Sequence, residues 1–257
     1  MQKYIREFRN GERSMARVHQ INRELLAPEM PVVRYGVLYL DGEGTATAAV
    51  AKHGAELFNE GAYDRVVMAG ARRPWLDPKS IAVFPKVRQD GLPLPNILAR
   101  EAHYMRDAFA RFADPEKFQE YSRQRRIHVI TRGTNAGAKA RACASHFNEI
   151  GLVQCVTLAY SVKRLVGTIA KESNPGLAVT GERVYPFGIT KDNWHQWYLS
   201  YAVVIEEADK TGPRLDGKPP AYANFFDDVD LHKMGEDARK SDAWALAVER
   251  ALDDWEP

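Results

Sequence analysis

Acids and arginines in this chain stand where apolar, strand-like runs give way to turns, and that placement makes them candidates for chemistry. Asp41 and Glu43 flank Gly42 in the turn Leu40-Asp41-Gly42-Glu43-Gly44, and Glu101 opens a later helical stretch. An acid in a basic, partly closed pocket can act as a general base or orient a hydroxyl or amine. Glycines such as Gly42, Gly44 and Gly70 let a ligand approach the backbone. A helix that follows such a turn offers free N–H groups and its positive dipole end to an anion. Arg72, Arg73, Arg132 and Arg164 would gather guanidinium groups at one rim, a geometry suited to phosphate or carboxylate. In Thr131-Arg132-Gly133-Thr134-Asn135, capping alone explains Thr134 but does not require Arg132 or Asn135. Tyr160 and Arg164 are four apart and share one side if their helix begins at Ser161. The expected set is therefore Glu101 and Asp41 as catalytic acids, with Gly42, Gly44, Gly70, Arg72, Arg132, Thr134, Asn135, Tyr160 and Arg164 binding the ligand. Taken singly, each has a plainer reading as a cap, a tight turn or a solvated charge.

Several chemistries lack their residues. The glycine turn is not a standard NAD fingerprint, because its third glycine position is Thr47 and the second strand ends in Met68-Ala69-Gly70 without an acid. The histidines at 19, 53, 103, 128, 146, 195 and 232 form no HxH or HxxxH pair, so no dedicated metal site is expected. Neither a GxSxG elbow nor a P-loop lysine is present. Cys143 and Cys155, with no CxxC, read as buried thiols of a reduced, cytoplasmic protein. The formal net charge of +2 points away from nucleic acid and acidic membranes as partners. The basic run Arg123-Gln124-Arg125-Arg126 reads as a solvated entry to a strand. No run of some eighteen apolar residues or export signal is found.

The elements that must position these residues follow from hydrophobic period. Met15, Val18, Ile21 and Leu25 give a leading helix over 12–26, closed by Pro28 and Pro31. Apolar runs at 32–40, 65–69, 127–131 and 153–159 read as strands, and a weaker fifth lies within 177–185. Helices are expected from Thr45 and over 97–113, 134–150 and 161–173. Strands alternating with amphipathic helices predict an α/β, Rossmann-like three-layer sandwich with a mostly parallel sheet. Such a sheet brings the polar turns at 40–44, 69–73, 131–135 and 159–164 to one edge, where ligands bind at the point of reversed strand order. An N-terminal helical segment (1–30) precedes this domain (31–208), and a linker and helical extension (209–257) follow it. The proline-rich stretch 71–96 reads as a lid. A Trp- and Tyr-rich helix spans 192–208. In the extension, Trp244 and Trp255 cover either the sheet domain or a second copy of the chain, which would make a homodimer.

The order of turns resembles the SanA/ElyC/YdcF family, a bacterial group of uncertain function with a Rossmann-like fold. The likeness runs over about 33–205 through Gly42 and Gly44, the segment Leu57 to Gly70, Glu101-Ala102 with Met105, Thr131-x-x-Thr134, and Val156 to Arg164. Where that family has Glu-Asn after the third-strand turn this chain has Ala136-Gly137, and where it has histidine after the tyrosine this chain has Ser161. The resemblance implies a nucleotide-like or other anionic small molecule at the sheet edge, with an adenosyl-type ligand among the candidates. It carries roles to Gly42, Gly44, Glu101, Thr134, Tyr160 and Arg164. An enzyme of transfer or hydrolysis type is the first expectation. A non-catalytic sensing or partner-binding protein using the same pocket is the second.

Overall fold

The computed structural model describes residues 2–26, 29–71, 91, 100–133, 135–211 and 230–240. In chain order, α1 (Gln2–Arg9) and α2 (Met15–Ile21) precede β1 (Val37–Asp41), α3 (Thr47–Glu60) and β2 (Arg65–Ala69). Then come α4 (Glu101–Phe112), α5 (Pro115–Arg123), β3 (Ile127–Ile130), α6 (Ala136–Asn148), β4 (Leu152–Leu158) and α7 (Val162–Glu172). Last are β5 (Ala178–Val184), α8 (Tyr198–Thr211) and α9 (Leu231–Lys240).

The strands form one all-parallel sheet in the order β3-β2-β1-β4-β5. Every residue of β1 and β4 is buried, as strands covered on both faces must be. Side chains alternate between the faces. Leu38, Leu40, Val66 and Met68 pack with residues of α3, α4 and α5. Val37, Tyr39, Val67 and Cys155 pack with residues of α6 and α7, joined by Leu231 of α9. The result is a Rossmann-like three-layer sandwich. A further cluster joins α2 and α8, where Val18, Ile21 and Leu25 meet Tyr201, Val204, Ile205 and Ala208.

The strand-helix alternation is that expected from the sequence, with local differences that have local causes. The first strand begins at Val37 rather than Val32, because the chain turns at Gly36 with φ +82, and before that turn Val33 N donates to the Gln154 side chain instead of a strand neighbour's backbone. A Cβ on Gly36 would stand 2.6 Å from the Leu152 carbonyl oxygen. The leading helix expected over 12–26 is α2, which continues as a wide π-helical turn, Asn22–Leu26, and a further helix, α1, precedes it. The helix expected over 192–208 is a short 3-10 turn, Trp194–Gln196, followed by α8. Asp114 caps α5 by accepting from Lys117 N, with Pro115 in the first turn, a start signal that the periodicity alone passes over. Arg126 is not merely solvated: its guanidinium donates to the Asp64 and Tyr63 carbonyls and lies 3.9 Å from the Tyr121 ring centre. Of the lid, Ala71 and Gly91 are described; Arg72, Arg73, Thr134, Trp244 and Trp255 lie outside the described residues.

Candidate active site

The strand order reverses between β1 and β4, so the turns that leave their C-terminal ends diverge and open a crevice. Side chains from β1, α4, α6, β4, α7 and α8 converge there.

Glu101, the first residue of α4, is 1% exposed and reaches across to two neighbouring turns. Its Oε1 accepts from Gly44 N at 2.8 Å and from the Thr47 hydroxyl at 2.9 Å, and its Oε2 accepts from Ala71 N at 2.5 Å. Thr47 Oγ1 in turn accepts from Glu43 N at 2.9 Å. One carboxylate thus ties the β1 turn to the β2 turn and satisfies backbone donors that would otherwise be buried unpaired. Burial raises its pKa, and Lys139 with the three donors pulls it part of the way back. This contact also explains two glycines. A Cβ on Gly42 would run into the Glu101 carboxyl, and one on Gly70 into the Ala102 amide nitrogen. Close approach is required at both positions, but the approaching group is α4.

Asp41, 2% exposed, points to the α6 side of the sheet, where Lys139 Nζ meets its Oδ1 at 2.6 Å and the Tyr39 hydroxyl donates at 3.0 Å. Burial alone would lower the Lys139 pKa, but the carboxylates of Asp41, Glu43 and Glu101 outweigh it and raise it. The ammonium is therefore charged, and it also lies 3.4 Å from the Gly42 carbonyl oxygen. Tyr39, buried against Asp41, is held in its neutral form by burial and by that charge.

Glu43 faces the opposite wall. The Thr157 hydroxyl donates to its Oε1 at 2.7 Å, and Arg164 Nη2 stands 3.9 Å from the same oxygen. Burial pushes its carboxyl up to about 7, and Asp41 adds to this, while Arg164, Lys139 and the Thr157 hydroxyl oppose it. The side chain keeps 13% of its surface accessible. Arg164 gives its shorter contact to another acid, Glu207 of α8, with Nε 2.6 Å from Oε1, and its Nη2 is 3.2 Å from the Ser161 hydroxyl oxygen.

No family model, curated protein or solved structure matches this chain. The structure brings Asp41, Gly42, Gly44, Glu101 and Arg164 together, and Tyr160 lies beside them in the 3-10 turn Ala159–Ser161. The Tyr160 hydroxyl is kept protonated by burial and by the charges of Glu43 and Glu207. Asn135, not demanded by capping on sequence grounds, is the N-cap of α6, its side chain accepting from Ala138 N at 2.9 Å. Arg132 is exposed next to it, and Arg100 donates to the Thr131 hydroxyl at 2.9 Å on the same rim.

Two residues that organise the crevice, Lys139 and Glu207, were not among the sequence candidates. Both carried a signal. Lys139 shares a helix face with Ala136, Ala140, Cys143 and Phe147, all buried, and Glu207 shares one with Val204, Ala208 and Thr211. A charge inside an apolar stripe means a partner in the interior. Among the described residues no group of three or more His, Cys, Asp or Glu side chains could hold a metal ion, and no helix is long and apolar enough to cross a membrane.

Proposed function

We propose that this chain binds a nucleotide-like or other anionic small molecule, carrying phosphate or carboxylate, at the C-terminal edge of the sheet and acts on it by transfer or hydrolysis. The observation that carries the reading is the place of Glu43, partly accessible and 3.9 Å from Arg164 Nη2 at the switch point of a parallel sheet, where burial pushes its carboxyl up to about 7. A carboxyl whose pKa lies near neutrality takes and returns a proton efficiently at that pH. Glu43 is also more accessible than Glu101 or Asp41. We therefore assign proton transfer to Glu43 and assign Glu101 and Asp41 to holding the turn and the Lys139 charge. Arg164 and the exposed Arg132 are the groups in this reading that meet the anion. Membership in the SanA/ElyC/YdcF family and a cytoplasmic setting belong to the same proposal. The free, buried Cys143 and Cys155 suit the latter.

The test is thermal-shift screening against nucleotides, adenosyl compounds, sugar nucleotides and simple phosphates. A ligand at about a hundred times its Kd stabilises the native state by about 2.7 kcal/mol. For a domain of this size that raises Tm by roughly 5–10 °C. A selective rise that disappears in Arg164→Ala and persists in Glu43→Gln, with turnover lost in the latter, is the expected pattern. No rise with any of these anions rejects it. One observation favours the sensing alternative: the candidate anion-binding arginine is already engaged by Glu207, a residue of the helix that packs against α1 and α2. Binding retained in Glu43→Gln, together with no turnover of any bound compound by the native chain, selects that alternative.

A further inference from the structure

We propose that Glu207 is a positioning residue, one that draws Arg164 off Glu43 and so keeps the Glu43 carboxyl free to exchange a proton. The inference rests on the crevice reading above, and it adds a role for a helix outside the strand turns. The geometry is asymmetric: Arg164 Nε is 2.6 Å from Glu207 Oε1, whereas its Nη2 is 3.9 Å from Glu43 Oε1. Glu207 is 6% exposed, so its charge is not diluted by solvent, and Arg164 is its ion-pair partner. The Ser161 hydroxyl oxygen at 3.2 Å braces the other end of the guanidinium.

The hold on Arg164 is itself held. Two residues beyond Glu207, Asp209 accepts from the Tyr4 hydroxyl of α1 and from Arg17 Nη2 of α2 at 2.9 Å. Tyr201 of the same helix packs on Phe8 with ring centres 5.7 Å apart. The N-terminal helices thereby fix the helix that fixes Arg164. The groups facing Glu43 are Asp41 from β1, Lys139 from α6, Thr157 from β4, Tyr160 from the turn after β4, and Arg164 from α7. Of the two cations, Lys139 is held at 2.6 Å by Asp41, a residue the test leaves in place, whereas Arg164 is held at 2.6 Å by Glu207 itself. Freed from Glu207, the guanidinium can close on Glu43 as a bidentate pair, which favours the charged carboxylate.

The test needs no ligand. Carboxyl carbon resonances of 13C-labelled glutamate, with Glu43 assigned through Glu43→Gln, are followed against pH in the native chain, Glu207→Gln and Arg164→Gln. The expected result is a fall of the Glu43 midpoint by at least one pH unit in Glu207→Gln, a tenfold loss of proton affinity, and a rise in Arg164→Gln. An unmoved midpoint in Glu207→Gln, with the rise in Arg164→Gln intact, overturns the positioning role and leaves the crevice reading standing. A native Glu43 titrating in the ordinary carboxylate range overturns both. If Glu207→Gln does not fold, Glu207→Asp withdraws the carboxylate by one methylene, and a folded Glu207→Asp with no fall in the midpoint is equally fatal.

Discussion

Glu101 and Glu43 are two carboxylates attached to the same turn, one by reaching it from α4 and the other by belonging to it, and their surroundings differ. Glu101 meets three donors on neutral groups, two of them backbone amides, and is sealed from water. Glu43 meets one hydroxyl and an arginine that is engaged elsewhere. Fixed donors on a buried carboxylate make architecture, because no other state of the group can serve them. An under-served carboxyl at a partly open crevice changes protonation instead. Proximity to the C-terminal edge of the sheet does not separate the two carboxylates; the count and fixity of the donors does.

The largest expected effect tests the cation between them. Lys139→Met leaves Asp41 as an uncompensated buried charge, and breaking such a pair costs about 3–5 kcal/mol. Urea unfolding at neutral pH should show that loss. Next is Glu101→Gln, which replaces one acceptor oxygen by an NH2 group and sets donor against donor at Gly44 N, Thr47 or Ala71 N. A cost of about 2–4 kcal/mol is expected, with little dependence on which anion is offered. If Glu101→Gln were as stable as the native chain yet inactive toward a bound compound, the two acids would have to exchange roles.

Glu43→Gln should behave in the opposite way. Burial pushes the Glu43 carboxyl up to about 7, above its ordinary value of about 4.5. Its contribution to stability is therefore fully present below about pH 4.5 and is lost as pH rises through 7. The neutral amide has no such loss, so the difference in stability between variant and native chain should grow across that window to about 2–3 kcal/mol in favour of the variant. Chemical denaturation at pH 5 and pH 8.5 measures it. A constant difference at both pH values would place Glu43 in the same class as Glu101.

The fold was legible because the first four strands are apolar runs followed by turn signals, and β2 has the bounds that its sequence predicts; β5, with Thr180, Gly181, Glu182 and Arg183, carries the weaker pattern. The turn residues of the site were legible for the same reason. Their partners were passed over, since Lys139 and Glu207 sit within helices, where turn chemistry says nothing and the signal is the apolar stripe around each charge. Gly42 and Gly70 were read as room for a ligand, whereas the room is taken by Glu101 and the start of α4, a contact between distant segments that no local window contains. The cap on α6 fell to Asn135, one residue beyond the threonine whose type suggested it.

The smallest effect sharpens the comparison most directly. Thr157→Val removes the only hydroxyl among the described residues that donates to Glu43 while keeping the side chain's shape, so the charged carboxylate loses a 2.7 Å bond and the neutral acid loses less. The Glu43 midpoint should rise further above 7, by well under one pH unit. Stability should fall by about 1 kcal/mol above pH 8 and by less below pH 6. The same variant has no path to Glu101, whose donors come from the turns after β1 and β2 and from Thr47. A uniform loss at all pH values would mean that Thr157 serves the packing of β4 rather than the charge of Glu43, and the contrast between the two carboxylates would then rest on Arg164 alone.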